Sequence, residues 1–271
     1  PLEKPLLPTK PTSTKVQQVV QPTEQVMADT TDHATISNVA LNNTEQDSID
    51  VTKMIATQPY KYVEIEFEIT QNDEMNSSGT GRTTFNLDKN QTYTLISTIQ
   101  TKGPNSTKLN IIKQTSEGIV TENGLIPSYY SSQYSNEPSK AQSARFFWPE
   151  RVLLLHSSEI EKTVTLLTDT QDILSFMYQF MFSPPKNNGE LTVTNGELSQ
   201  SITYTSLGEE QVATGIGELK TIHLQIINVE QEKTEIWLGI DYQYLPVKIR
   251  KTLNSGTIIE ETAVNIFTSK S

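Results

Sequence analysis

The sequence predicts a mainly β domain. It is a strongly curved antiparallel meander, an open barrel or half-barrel, with one amphipathic helix at about 170–182 and a disordered N-terminal tail. Three observations lead there. From Tyr60 onward, short apolar–polar alternations are punctuated by turn residues. One stretch, TDTQDILSFMYQFMFSPP at 168–185, breaks that grammar with helical spacing. Before Tyr60 the chain has no aromatic residue at all.

The tail comes first. PLEKPLLPTKPTSTKVQQVVQPTEQ is Pro-spaced and too poor in apolar residues to offset the entropy of ordering. Residues 1–57 are expected to form a semi-extended linker, and 58–271 a single β-rich domain. The chain begins with Pro1, which reads as a processed or trimmed fragment whose tail is a tether from a membrane anchor upstream. No apolar run approaches the ~20 residues of a membrane-spanning helix.

The strands follow in order. YVEIEFEI alternates with period two and points Val63, Ile65, Phe67 and Ile69 inward. TTFNLDKNQTYTLISTI is a hairpin turning at Asp88–Gln91. LNIIKQTSEGIVTENG reads as two short strands around Glu117–Gly118. Asn195-Gly196, between extended runs, is the strongest hairpin signal in the chain. Two further hairpins turn near Glu230–Glu232 and at Asn254–Gly256. Pro246 suggests an edge position or a strand start.

The helix rests on Ile173, Phe176, Met177, Phe180 and Met181, spaced to share one face. Asp169 or Thr170 is placed to cap it, Asp172 to favour its dipole, and Pro184-Pro185 to stop it.

Composition narrows function. A net charge of −11 argues against nucleic acid or an anionic membrane surface as partner. With no cysteine, disulfides, thiol catalysis and Cys-ligated metals are excluded. His33, His156 and His223 show no metal-ligand spacing, so no metal and no cofactor is expected. The chain has no G-x-S-x-G elbow, and the GIG at 215–217 is read as a tight turn into a strand. Asp169 and Asp172 form the one carboxylate pair worth weighing for acid–base work, with capping the simpler reading. Asp241 and Arg250 suggest a structural ion pair. No catalytic residue is assigned.

The motifs GLIPSYYSSQY (124–134), RFFWPERV (145–152), TDTQDILSFMYQF (168–180), GIGELKTIHL (215–224) and IWLGIDYQYLPVKIRK (236–251) occur in that order. Together they resemble the bacterial family catalogued as domain of unknown function 3108, over about residues 60–267. The resemblance implies an exported, periplasmic or envelope-associated β protein, and it implies no known activity or catalytic residue.

What remains is apolar surface. Phe176, Met177, Phe180, Met181, Tyr130, Phe147, Trp148, Trp237 and Tyr244 are read first as core and second as the wall of a ligand cavity. The expected function is a non-catalytic envelope domain, periplasmic and tethered to the inner membrane through an upstream anchor. It would bind an apolar ligand such as a lipid or acyl chain, or an envelope protein. One alternative is a scaffold acting through an edge strand, near Pro246 or at YVEIEFEI. Another is a hydrolase of envelope polymers using Asp169 or Asp172.

Overall fold

The computed structural model describes residues 58–72, 78–102, 109–227 and 232–270. The chain divides into two units, 1–51 and 52–271, and the second holds every described residue. The expected tail and the turn near Glu230 lie outside the described residues.

The first strand, β1 (Tyr62–Gln71), buries Val63, Ile65, Phe67 and Ile69, as its alternation predicts. Each such side chain removed from water contributes about 1.5–3 kcal/mol. The meander continues through β2 (Gly79–Leu87), β3 (Thr92–Lys102), β4 (Leu109–Thr121) and β5 (Gly124–Tyr134). Then come β6 (Gln142–Phe147), β7 (Val152–Ser157) and β8 (Ile160–Thr165). A short strand β9 (Gln171–Asp172) and α1 (Ser175–Gln179), the one α-helix among the described residues, follow. The second half is β10 (Asn188–Thr194), β11 (Ser199–Thr214), β12 (Gly217–Ile227), β13 (Lys233–Gly239), β14 (Leu245–Thr252) and β15 (Ile258–Ser269).

The fifteen strands of the described residues belong to one sheet, ordered β8-β7-β6-β5-β4-β3-β2-β1-β15-β14-β13-β12-β11-β10-β9. Every ladder is antiparallel except the short β9–β10 pair. β5 and β14 stand six strand spacings apart in that order, about 29 Å in a flat sheet. Yet both touch α1, a helix of five residues. The sheet must therefore curl around the helix, and the segment from Thr170 to Met181 runs inside the curl as a plug.

Four readings need correction. The helix is Ser175–Gln179, shorter than 170–182, because Gln171 and Asp172 pair as a strand with Val193 and Thr194. Within it Ser175, Phe176 and Tyr178 are buried, while Met177 and Gln179 are partly exposed. Glu117 and Gly118 lie inside one long strand, opposite the unpaired Ser128 of β5, with the turn at Glu122–Asn123. A Cβ on Gly118 would strike the Ile126 carbonyl oxygen and the Tyr93 ring, so this glycine serves close packing. Neither YVEIEFEI nor Pro246 lies on an edge: β1 sits between β2 and β15, and β14 between β13 and β15. Pro246 is tolerated because it lies at the strand start, before β15 pairing begins at Lys248. The edge strands are β8 and β9. Finally, Arg250 engages Glu260 across the β14–β15 ladder, where Asp241 had been the expected partner.

Candidate binding cleft

The plug separates two apolar clusters. Leu174, Tyr178 and Met181 pack with residues of β1 to β7 and β14. Phe176 and Phe180 pack with Val193, Ile202, Tyr204, Leu224, Ile236 and Leu238 of β10 to β13. Phe176 meets Phe180 edge-on at 5.5 Å, and Phe180 meets Tyr204 the same way at 5.6 Å.

Beside this second cluster opens a cleft of about 570 Å³. Its floor is Leu125, Phe176, Phe180 and Leu191, and its rim carries Asp169, Lys186, Asn188 and Glu190. The volume is in the range of small-molecule sites, about 300–1,000 Å³.

The cleft lies where the curled sheet nearly closes on itself. β6 pairs with β5 only from Tyr129 to Ser132, which leaves the start of β5 without a strand on that side. Side chains take the place of the missing ladder. Gln179 Oε1 accepts the Leu125 N–H at 2.7 Å, and Gln171 Nε2 donates to the Leu125 carbonyl at 2.9 Å. Gln179 Nε2 also donates to Asn123 O at 2.8 Å. Trp148 Nε1 donates to Pro127 O at 2.7 Å. Gly124, at φ +103°, lets the turn approach the Gln179 amide with no Cβ between them. The bond from Gln171 Nε2 fixes which way that amide faces, so its Oε1 is a buried acceptor without a partner among the described residues.

Under the cleft sits Asp172, with no solvent exposure. Ser116 Oγ donates to its Oδ2 at 2.6 Å, and the Leu174 and Ser175 amides donate to Oδ1 at 2.9 and 2.8 Å. The Asp172 amide donates in return to Ser175 Oγ at 3.0 Å. Leu174 stands at the N-cap of α1 with no side-chain bond of its own, and Asp172 takes the entering amides that Asp169 or Thr170 had been expected to take. Tyr93 OH lies 3.0 Å from Ser116 Oγ and extends the network to β3. Burial raises the Asp172 carboxyl to about 6, against the lowering effect of these hydrogen bonds. Burial, with Asp172 nearby, likewise pushes the Tyr93 and Tyr130 phenols up.

The nine candidate residues do not form one cavity. Phe176 and Phe180 line the cleft. Met177 and Tyr244 are partly buried against the same cluster. Met181 and Tyr130 belong to the other cluster, with Tyr130 OH accepting from Gln114 Nε2 at 2.9 Å. Trp148 stacks on Phe146 at 6.0 Å. Phe147 is exposed. Trp237 points to the opposite face of β13 from Ile236, stacked on His223 at 4.3 Å and bonded through its indole N–H to Glu210. Asp169 is exposed at the rim while Asp172 is enclosed, so the two share no surface. Among the described residues no group of three or more His, Asp or Glu could hold a metal ion. Sequence reasoning passed over Gln171, Leu191 and Tyr204. Gln179 was visible only as a polar break in the apolar run.

The model of a family described as protein of unknown function (DUF3108) matches residues 66–262. The chain belongs to the DUF3108 family. The match takes in β2 to β14 whole, and the residues of the plug and cleft fall within it. No curated protein matches this DUF3108 chain. Among solved structures it is similar to a β-barrel-like protein of domain of unknown function DUF1849 from Brucella abortus. The identity is 10%, the TM-score 0.54, and the match covers 79% of this chain and 100% of the other. At that identity the likeness concerns the fold, a barrel-like β architecture.

Proposed function

We propose that this DUF3108 domain is a non-catalytic binding module of the cell envelope, working in the periplasm, that takes an amphipathic ligand such as a lipid or other acyl-bearing molecule. The observation that carries this reading is the cleft: an apolar floor, a polar rim and one buried acceptor in its wall. A buried acceptor left unpaired costs about 1–3 kcal/mol, which a ligand N–H or O–H would recover. Phe176, Phe180, Leu125 and Leu191 supply a surface for an alkyl body, and Asp169, Lys186, Asn188 and Glu190 one for a polar head.

Native mass spectrometry of the full chain, purified gently from a bacterial envelope, tests this. Expected is a stoichiometric adduct, extractable by organic solvent and lost in Ser183→Trp, where an exposed cleft residue gains bulk without disturbing the core. A clean unliganded mass, with no uptake of a fluorescent fatty-acid probe, rejects the reading. A second reading, a protein partner adding a strand, has support from β8: its outer edge is unpaired among the described residues and Ile160 is 71% exposed. It predicts a protein adduct lost when a proline replaces Thr163.

A further inference from the structure

We infer that the plug is a proton-linked gate on the cleft, closed while Asp172 is neutral and loosened when Asp172 ionises. The ligand it would hold or release rests on the binding reading above; the gate itself does not.

The argument begins with position. Gln171 lines the cleft and clamps Leu125, and Phe176 forms part of the floor. Asp172 lies between them in the chain and ties the segment to β4 through Ser116. Anything that loosens Asp172 therefore loosens both cleft residues.

The environment then sets the sign. The groups hydrogen-bonded to the carboxylate are all neutral: one serine hydroxyl and two backbone amides. From β3 the site faces Tyr93, and from β5 it faces Tyr130. From β4 come Ser116 and, acting on Tyr93, the acidic Glu117. From β10 come the Val193 and Thr194 backbone of the parallel pair, and from the plug itself Ser175. A carboxylate enclosed by such groups has lost its hydration without gaining a counter-charge, and that loss costs several kcal/mol. Protonated, the same group fits: Ser116 can accept from the acid and donate to Tyr93. Opening the plug rehydrates the carboxylate, so ionisation favours the open form. The upward shift of the Asp172 carboxyl to about 6 agrees with this direction.

Amide hydrogen exchange of the unliganded full chain, read at Leu174 to Phe180 and corrected for intrinsic exchange, tests the gate. Plug amides are expected to exchange well before those of β1 and β15. Their protection should fall roughly 10- to 100-fold from pH 4.5 to 7.5. Asp172→Asn should flatten that fall, because the amide keeps an oxygen for the two backbone donors. Protection that does not change with pH, plug amides exchanging only in step with β1 and β15, or an unchanged fall in Asp172→Asn overturns the gate. Should Asp172→Asn fail to fold, carboxyl carbon NMR of the wild type decides: titration near pH 6 supports the gate, and a midpoint at or below 4 overturns it. Because no ligand is present, a failure here is separable from a failure of the binding reading.

Discussion

Asp172 in the plug and Glu260 on β15 are both acids drawn into the fold, and their proton affinities move in opposite directions. Burial acts on both and raises both. At Glu260, Lys248 Nζ at 2.8 Å and Arg250 Nε and Nη2, each at 2.7 Å, outweigh burial and hold the carboxyl below its usual range. At Asp172 the partners are neutral donors, and burial prevails. Three hydrogen bonds from neutral groups do less for a buried charge than two cations do for a half-buried one. The first site stores a proton-dependent strain next to a cleft. The second is an ordinary ion pair on a ladder.

The largest break in that comparison is Asp172→Ala, which strands the Ser116 hydroxyl and two helix amides. It should cost about 3 kcal/mol at pH 5 in urea unfolding, against about 1 kcal/mol or less for Glu260→Ala. Next is the pH dependence. The folded-state carboxyl of Asp172 lies above its unfolded value, so its contribution is fully present in acid and is lost as pH rises to about 6 and beyond. That loss is at most about 3 kcal/mol, and Asp172→Asn should abolish it across a pH series of denaturation curves. Glu260 has the opposite sign: its stabilisation is present above the usual carboxylate range and disappears as pH falls through the lowered value. The smallest effect is that of salt. Raising NaCl from 0.1 to 1 M should shrink the cost of Glu260→Gln and leave that of Asp172→Ala unchanged, because salt screens a half-buried ion pair in part and does not reach an enclosed group with neutral partners.

The same contrast marks what could be read in the sequence. Elements with a local signature were legible: Val63, Ile65, Phe67 and Ile69 by alternation, Asn195-Gly196 and Asn254–Gly256 by turn chemistry, and the plug by its density of apolar residues. Gly118 misled because a glycine that serves packing against Tyr93 looks the same as one that serves a turn. The helix was overextended because 171–172 takes its conformation from β10, some twenty residues later. Only part of the site was legible. Phe176 and Phe180 announced themselves, whereas Gln171 and Gln179 matter because Leu125, paired with Val120 of β4, has no β6 residue on its other side, a fact of topology alone. Trp237 and Phe147 share an aromatic character with the floor residues, and nothing local says that they face elsewhere.

One ladder carries a consequence for the order of assembly. Every neighbouring pair in the sheet is consecutive in the chain except β1 with β15. The first strand must therefore wait for the last of the sheet, Ile258–Ser269, to emerge. Throughout that interval β1 has one bare edge, the kind of surface on which chains stick to one another. Its alternate residues are Glu64, Glu66 and Glu68. In the finished domain two of them approach Arg82. In the unfinished one, three like charges along an open strand repel a second copy. The acidic alternation is therefore expected to keep β1 from self-pairing until β15 arrives.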